Sequence, residues 1–490
     1  MVNLVTEISK YLMIILIGIY TFGCFTVFGY QDEGTQKSIL RRQNILMFMI
    51  HFMAFLIMFL RTEETKIVMF YGMQVALLGC TIFFYTKLYP KTSRLVVNNM
   101  CMLLAVGLIM LTRIAYDLAW KQFLIIAGGM VISLIVPVII RKVKFLANLR
   151  KLYGIVGVIA LLAVIVVGRV SYGAMLGFEI AGISIQPSEL VKIVFVFFVA
   201  SSFYASTEFK NIVITTAVAA AHVLILVASK DLGAAVIIFV VYLVMLYVAT
   251  RQPLYMLAGL GAGSAASVVA YHLFTHVKVR VVAWQDPIAS YNDGGYQVAQ
   301  SLFAIATGGW FGMGLFQGSP KSIPVRESDF IFSALSEEMG LIFALCLILI
   351  FLSCYIMFLN IAMQLKNRFY KLVALGLGTC YIFQVFLNIG GVTKFIPSTG
   401  VTLPLVSYGG SSIISTLIMF GIIQGLYILR EDEEEDIERK KQQRLREEKK
   451  RRNRDLRSAG RSGSGTGSKN AKTAVGQKRA GAQRSKQEKR

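Results

Sequence analysis

The chain has 490 residues, 56% apolar and only 16% charged, with a formal net charge of +23. A mean hydropathy of +0.64 excludes an ordinary soluble globular domain and points to a polytopic membrane protein. Six cysteines in apolar runs without CxxC spacing, Cys24, Cys80, Cys101, Cys346, Cys354 and Cys380, read as packing residues rather than disulfides or metal ligands.

A helix needs about 20 apolar residues to cross a ~30 Å hydrocarbon core. That length predicts an all-α integral membrane bundle of about thirteen spans, beginning near Ile8, Leu46, Ile67, Val97, Phe123, Leu152, Leu190, Ile212, Ala234, Leu254, Phe330, Leu372 and Leu403. The first is expected to stay in the membrane, because Met1 to Lys10 carries little positive charge and no small-residue cleavage site follows. His51 on an apolar face reads as packing, and Arg61, Glu63 and Glu64 as an ordinary outer loop. The basic loops KSILRR (Lys37 to Arg42), KLYPKTSR (Lys87 to Arg94), RKVKFLANLRK (Arg141 to Lys151) and KNR (Lys366 to Arg368) each follow an odd-numbered span. Lys and Arg gather on the cytoplasmic side, so the N-terminus is expected outside and the C-terminus in the cytoplasm.

Four polar clusters then fall on the outer side. GFEIAGISIQPSELVK, Gly177 to Lys192, places Pro187 at a helix start, with Glu189 and Lys192 one turn apart on the same face. In KDLGAAV, Lys230 to Val236, Asp231 can cap the next helix and Gly233 permits close packing. The loop from about 276 to 328 holds the cations Lys278, Arg280, Lys321 and Arg326, the carboxylates Asp286, Asp293 and Glu327, and apolar stretches such as VAQSLFAIA, with Asp329 just beyond it. Those apolar stretches predict that it folds back on the membrane. Its cations can hold phosphate, and its carboxylates can accept a proton from a hydroxyl.

The fourth cluster, NIGGVTKFIPSTGVTLPLVSYGGSS (Asn388 to Ser412), sits between two apolar runs and contains Lys394, Ser407, Tyr408, Ser411 and Ser412. Broken backbone near a membrane persists only where protein or a water-filled cavity satisfies it, so this segment marks a candidate working face. Glu337 and Glu338 are expected inside span eleven, where an ionisable group is a functional candidate.

After Arg430 an acidic run gives way to a polybasic one, and about ten of the 23 net charges lie there. Pairs such as Glu435 with Arg439 favour a charged helix continuing span thirteen. Disorder is expected beyond about Ser458, and the polybasic segment suits anionic lipid headgroups. Nucleic acid is disfavoured, since the tail lacks aromatic stacking residues.

Five strings in order and spacing carry a resemblance: ISIQPSELVKI, KDLGAAV, DP followed by GGYQVAQSLFAIATGGWFGMGL, ESDFIFSALSEEMG, and the Asn388 to Ser412 segment. Over about Val97 to Leu429 the chain resembles the SEDS family (shape, elongation, division and sporulation), whose members include FtsW, RodA and SpoVE. The resemblance implies a ten-helix core over residues 93–430, three additional N-terminal helices over 1–92, and a charged cytoplasmic tail over 431–490. It implies a peptidoglycan glycosyltransferase in the bacterial cytoplasmic membrane, polymerising lipid II into glycan strands during division, elongation or sporulation, with a class B penicillin-binding protein as partner. The 4-hydroxyl of one GlcNAc attacks the anomeric carbon of another lipid II's MurNAc, and undecaprenyl pyrophosphate leaves. Such chemistry needs a base near the hydroxyl, cations at the pyrophosphate and an apolar groove for lipid tails.

On this reading Arg280 is the leading pyrophosphate contact. Lys278, Gln186, Glu189, Lys192, Asp329, Glu338, Lys394, Ser407, Tyr408, Ser411 and Ser412 join it as substrate-binding candidates. No metal-ligand spacing is visible, although the pyrophosphate can carry a divalent cation. One departure stands out. Family members usually carry two acidic positions in a pattern like DPWSDPLGSGFQ, the second held to be essential, whereas DPIASYNDGGYQ has Ser290 at that place. A serine hydroxyl is a poor general base. Asp293 reaching the same space, Asp286 taking over, or a non-catalytic scaffold for the partner are the three consequences; a lipid II flippase is a further alternative.

Overall fold

This computed structural model describes residues 2–30, 32–167, 169–171, 174–180 and 183–462. Six helices come first: α1 (Val2–Thr26), α2 (Glu33–Thr62), α3 (Thr65–Leu88), α4 (Arg94–Ile114), α5 (Tyr116–Lys142) and α6 (Arg150–Val167). A three-stranded antiparallel meander follows, β1 (Arg169–Ser171), β2 (Ala174–Ile180) and β3 (Ile183–Ile185), with Phe178 opposite Ile185. Then come α7 (Pro187–Ala205), α8 (Phe209–Ala228), α9 (Leu232–Thr250), α10 (Pro253–Leu273), α11 (Thr275–Gln285), α12 (Tyr296–Gly308), α13 (Ile331–Met339), α14 (Leu341–Gln364), α15 (Arg368–Val392) and α16 (Gly410–Ser462).

Among the described residues, twelve helices are long and apolar enough to cross a membrane. The segment expected as span six is α6, whose 18 residues lie at the short end of the spanning range of about 17–25. The chain is thus a multi-pass helical membrane protein.

Helix α4 is the centre pole: every residue from Leu95 to Thr112 is buried, and α2, α3, α5, α13 and α14 pack around it. Van der Waals packing between helices is supplemented by buried polar bonds, which find no competitor in hydrocarbon. The Tyr20 hydroxyl donates to Asn99 Oδ1 at 3.0 Å, and Asn99 Nδ2 donates to Ser353 Oγ at 3.2 Å. Asn98 Nδ2 donates to the Leu40 carbonyl at 2.9 Å. These bonds fasten α1 and α2 to α4 and α14. His51, expected as packing, is buried with Nε2 at 2.9 Å from Gln74 Oε1.

Two boundaries differ from expectation. Gly340, at φ +88°, breaks the predicted span eleven into the short α13 and the long α14, so Glu337 and Glu338 precede the span rather than lying within it. The break comes from a distant segment, because a Cβ on Gly340 would lie 2.3 Å from the Gly312 amide nitrogen. The last span begins at Gly410, not near Leu403, since residues 393–409 form the irregular polar turn. The apolar stretch VAQSLFAIA of the long loop forms α12, where Ser301 Oγ donates to the Val392 carbonyl at 2.7 Å.

Residues Met1–Glu431 form one compact unit and Asp432–Arg490 a second. Within the second unit the described residues are helical, and Arg439 pairs with Glu435 at 3.3 Å. Residues 463–490, where disorder is expected, lie outside the described residues.

Candidate functional site

The irregular turn 393–409 is held by side chains of four helices, α5, α11, α15 and α16. A backbone without ladder partners must find them elsewhere. From α15, Asn388 Nδ2 donates to the carbonyls of Asp329 (2.9 Å) and Val401 (2.7 Å), and Gln384 Nε2 donates to the Thr402 carbonyl at 3.1 Å. From α5, Gln122 Nε2 donates to the Ser407 carbonyl at 2.9 Å. Ser407 is buried: its hydroxyl accepts the Leu403 amide at 2.8 Å and donates to the Ser328 carbonyl, and the Tyr408 amide donates to the Glu327 carbonyl at 2.8 Å. The predicted SYGG turn and DFIF segment are therefore one structure.

Beneath the turn runs a buried polar line. Pro187 opens α7 as expected, which sets Glu189 and Lys192 on one face. Lys192 Nζ lies 2.9 Å from Glu189 Oε2 and donates to Gln384 Oε1 at 2.7 Å. Ser415 Oγ donates to the same Glu189 oxygen at 3.1 Å. Ser412 Oγ lies 2.7 Å from Thr402 Oγ1. Asp231 caps α9 through the Ala234 amide at 3.1 Å, and its other oxygen accepts Ser188 Oγ (2.8 Å) and Gln186 Nε2 (3.1 Å). The Gln186 amide donates to Ser411 Oγ at 2.8 Å. Glu189, Lys192 and Ser412 are thus joined through Gln384 and Ser415, while Gln186 and Ser411 belong to a neighbouring group around Asp231.

Above it, α11 carries Arg280 to the turn. Arg280 Nη1 donates to the Ser398 carbonyl at 3.2 Å, and a Cβ on Gly400 would lie 3.5 Å from both Arg280 Nη2 and Asp329 Oδ2. Trp284 Nε1 donates to the Lys394 carbonyl at 3.2 Å, fixing α11 against the same turn. Burial pushes the Asp329 carboxyl above its usual range, opposed by a hydrogen bond from Ser328 and by the Arg280 charge. Burial also lowers Arg280, opposed by Asp329 and Asp231, yet a guanidinium stays charged at neutral pH. His276, one turn before Arg280, is held below its usual value by burial and then by the Arg280 and Lys230 charges. Its Nε2 is buried without a partner. Lys230 and Arg280 therefore gather positive potential around Asp231 and Asp329.

The two loop aspartates differ. Asp286 Oδ1 accepts the Ile288 (3.1 Å) and Ala289 (2.9 Å) amides, closing the turn after α11. Asp293 is exposed and, among the described residues, makes no side-chain hydrogen bond or ion pair. It is followed by Gly294 at φ +108°, which packs on Val279 beside Arg280. Lys278 is also exposed. Glu338 stands apart, fully buried, 2.8 Å from Arg113 Nη2 of α4. Glu337 Oε1 accepts the Ser319 amide at 2.9 Å.

The sequence reading omits Gln122, Gln384, Asn388, Arg113, Lys230 and His276 as site residues. Glutamines and an asparagine inside apolar spans were the available signal, since a polar group there needs a partner.

Against known proteins, residues 93–431 match the FtsW/RodA/SpoVE family, described as cell cycle proteins. The chain belongs to the SEDS family. Among its SEDS relatives, the peptidoglycan glycosyltransferase RodA of Mycobacterium tuberculosis is 31% identical over 383 residues, 72% of this chain and 82% of that one. The probable peptidoglycan glycosyltransferase FtsW of Bacillus subtilis is 32% identical over 325 residues, 62% of this chain and 80% of that one. A solved chain, from work titled "Structural coordination of polymerization and crosslinking by a peptidoglycan synthase complex", superposes with a TM-score of 0.61 at 24% identity, covering 69% of this chain and 98% of its own. That likeness shows a shared SEDS fold.

Proposed function

We propose that this chain is a peptidoglycan glycosyltransferase that polymerises lipid II at the outer face of the cytoplasmic membrane. The observation that carries it is Arg280 meeting the Ser398–Gly400 turn beside Asp329, with Lys230 adding positive potential. A pyrophosphate leaving group demands such a site, and charge stabilisation placed in advance is the largest common source of rate. Both aspartates are exposed, and Asp293 is assigned as the base because Asp286 Oδ1 is engaged by the Ile288 and Ala289 amides. It takes the proton of the acceptor 4-hydroxyl as that oxygen bonds to the donor's anomeric carbon. The bond from that carbon to pyrophosphate breaks, and the departing charge is met by Arg280.

Residues 1–92 are read as an addition to the core 93–430, whose family match begins at Leu95's helix. The N-terminus is placed outside and the C-terminus inside, as the basic loops require. Similarity to a chain from a peptidoglycan synthase complex supports a class B penicillin-binding protein as the partner that crosslinks the strand. Among the described residues no three His, Cys, Asp or Glu side chains come together as a metal site.

The test is purified full-length chain with fluorescent lipid II, alone and with a class B penicillin-binding protein. Wild type is expected to make glycan strands, and Asp293→Asn to lose about 10²–10⁴-fold in rate, the usual worth of a general base. No product from wild type under either condition favours the scaffold. Full activity in Asp293→Asn removes the base assignment while leaving the polymerase reading intact.

A further inference from the structure

At the opposite end of the bundle, among the basic loops, α6, α7 and α8 enclose a groove of about 540 Å³. Its walls are apolar, formed by Gly154 and Val158 of α6, Phe198 of α7, and Ile214 and Val218 of α8. From Arg150 to Val158 it runs along eight residues of helix, about 12 Å at 1.5 Å per residue. At its mouth stand Arg150 and Lys151.

The mouth is built rather than incidental. Asn211 Nδ2 donates to the carbonyls of Ser202 (2.9 Å) and Ser206 (2.6 Å), which orients its Oδ1 to accept Arg150 Nη1 at 3.3 Å. Arg150 is thereby fixed at the groove by a neutral side chain. Neither Arg150 nor Lys151 has a carboxylate partner among the described residues. Cations elsewhere in the chain do: the buried Lys192 has Glu189, and the half-buried Arg113 has Glu338.

Two unneutralised cations over an apolar trench at the membrane boundary match one ligand chemistry: a phosphate diester carrying hydrocarbon chains. We infer that this groove is a binding site for a single anionic phospholipid of the phosphatidylglycerol type. Its phosphate meets Arg150 and Lys151, and one acyl chain lies along Gly154, Val158, Phe198 and Val218. Polar capture between helices sets this site apart from loose attraction of the basic loops to the surface, where each charge acts alone. The site lies on the face away from Arg280 and does not depend on the polymerase assignment.

The experiment is native mass spectrometry of the full-length chain, released from detergent after titration with phosphatidylglycerol or phosphatidylcholine. One phosphatidylglycerol is expected to be retained at about thirtyfold lower lipid concentration than phosphatidylcholine, the scale set by two surface charges. Arg150→Gln with Lys151→Gln should abolish that preference. Val218→Trp, which fills the trench without touching charge, should abolish retention; Val218→Phe serves if the larger variant misfolds. Lys142→Gln with Lys144→Gln, on the same basic loop but outside the groove, should leave retention unchanged. Equal retention of the two lipids overturns the proposal, as does an equal loss in the Lys142/Lys144 variant, which would mean diffuse surface charge. Displacement by excess inorganic phosphate overturns the acyl-chain half, since it would show a headgroup-only site.

Discussion

The Ser290 hydroxyl donates a 2.6 Å hydrogen bond to the Asp286 carbonyl, and the Ser290 carbonyl accepts the amides of Asp293 (2.9 Å) and Gly295 (2.8 Å). Ser290 is only 6% exposed. Ser290, where the family resemblance leads one to expect an acid, is thus the hub of the turn that presents Asp293. Ser290→Ala should cost about 1 kcal/mol, the net worth of one hydrogen bond, and leave polymerisation within a few-fold of wild type. Melting in detergent and strand synthesis check this together. Loss of synthesis with an unchanged melting temperature would place the hydroxyl on the substrate instead.

Asp286 can be separated from Asp293 by its cap. Asp286→Asn keeps an oxygen for the Ile288 and Ala289 amides and removes only the charge, so polymerisation should stay near wild type. Asp286→Ala loses the cap as well, a change worth about 1 kcal/mol at comparable capping sites, and should lower stability and rate together. If Asp286→Asn were as inactive as Asp293→Asn, the two carboxylates would share the base role.

Glu338 is fully buried against Arg113. Arg113→Gln strands a buried carboxylate, and breaking one side of such a pair costs about 3–5 kcal/mol. Glu338→Gln should cost less, because Arg113 is partly exposed and rests 4.1 Å over the Phe316 ring. Burial, opposed by Arg113, pushes the Glu338 carboxyl up to about 7 from 4.5. The native state then binds a proton that the unfolded chain releases, so stability should be full below pH 4.5 and fall as pH rises toward 7. Melting temperature across that window reads the slope. Its persistence in Glu338→Gln would assign it to another group.

Lys192 and Glu189 sit in the buried line under the turn, with Lys192 only 3% exposed. Lys192→Met should cost about 3–5 kcal/mol by leaving Glu189 uncompensated. Lys192→Met with Glu189→Leu should recover most of that stability, since apolar replacement of a whole buried pair is often neutral. Polymerisation should stay lost, because the pair also holds Gln384 and Ser415 below the turn. Recovery of both stability and activity would reduce the pair to packing.

What was legible in the sequence was local. Pro187 opening α7, Asp231 capping α9, and Glu189 meeting Lys192 at i and i+3 all follow from spacing along one helix. The spans followed from hydropathy, and α12 from the apolar run VAQSLFAIA. The break at Gly340 was not legible, because it answers a segment 28 residues earlier, where Gly312 packs against it. Lys230 and His276 joined Arg280 only through tertiary folding, which brings the ends of α8 and α11 together. The same holds for Gln122, whose partner Ser407 lies 285 residues away.

Gly107 offers a test of how tightly the polar turn is seated on the centre pole. It lies in the middle of α4, where Gly→Ala ordinarily stabilises by about 0.5–1 kcal/mol. Here a Cβ would stand 2.7 Å from the Val406 carbonyl oxygen and 2.8 Å from that of Leu405. Both atoms are backbone of the turn, which Gln122, Ser328 and Asn388 hold in place, so it cannot yield as a side chain would. Gly107→Ala should therefore lower the melting temperature instead of raising it, by an amount typical of overpacking, about 1–3 kcal/mol. Polymerisation should fall further than stability, because displacing Val406 shifts Ser407 and Tyr408 against Ser328 and Glu327, and with them the segment beside Asp329. A more stable, fully active Gly107→Ala would show that the turn has room to move and that its seating on α4 does not position the site.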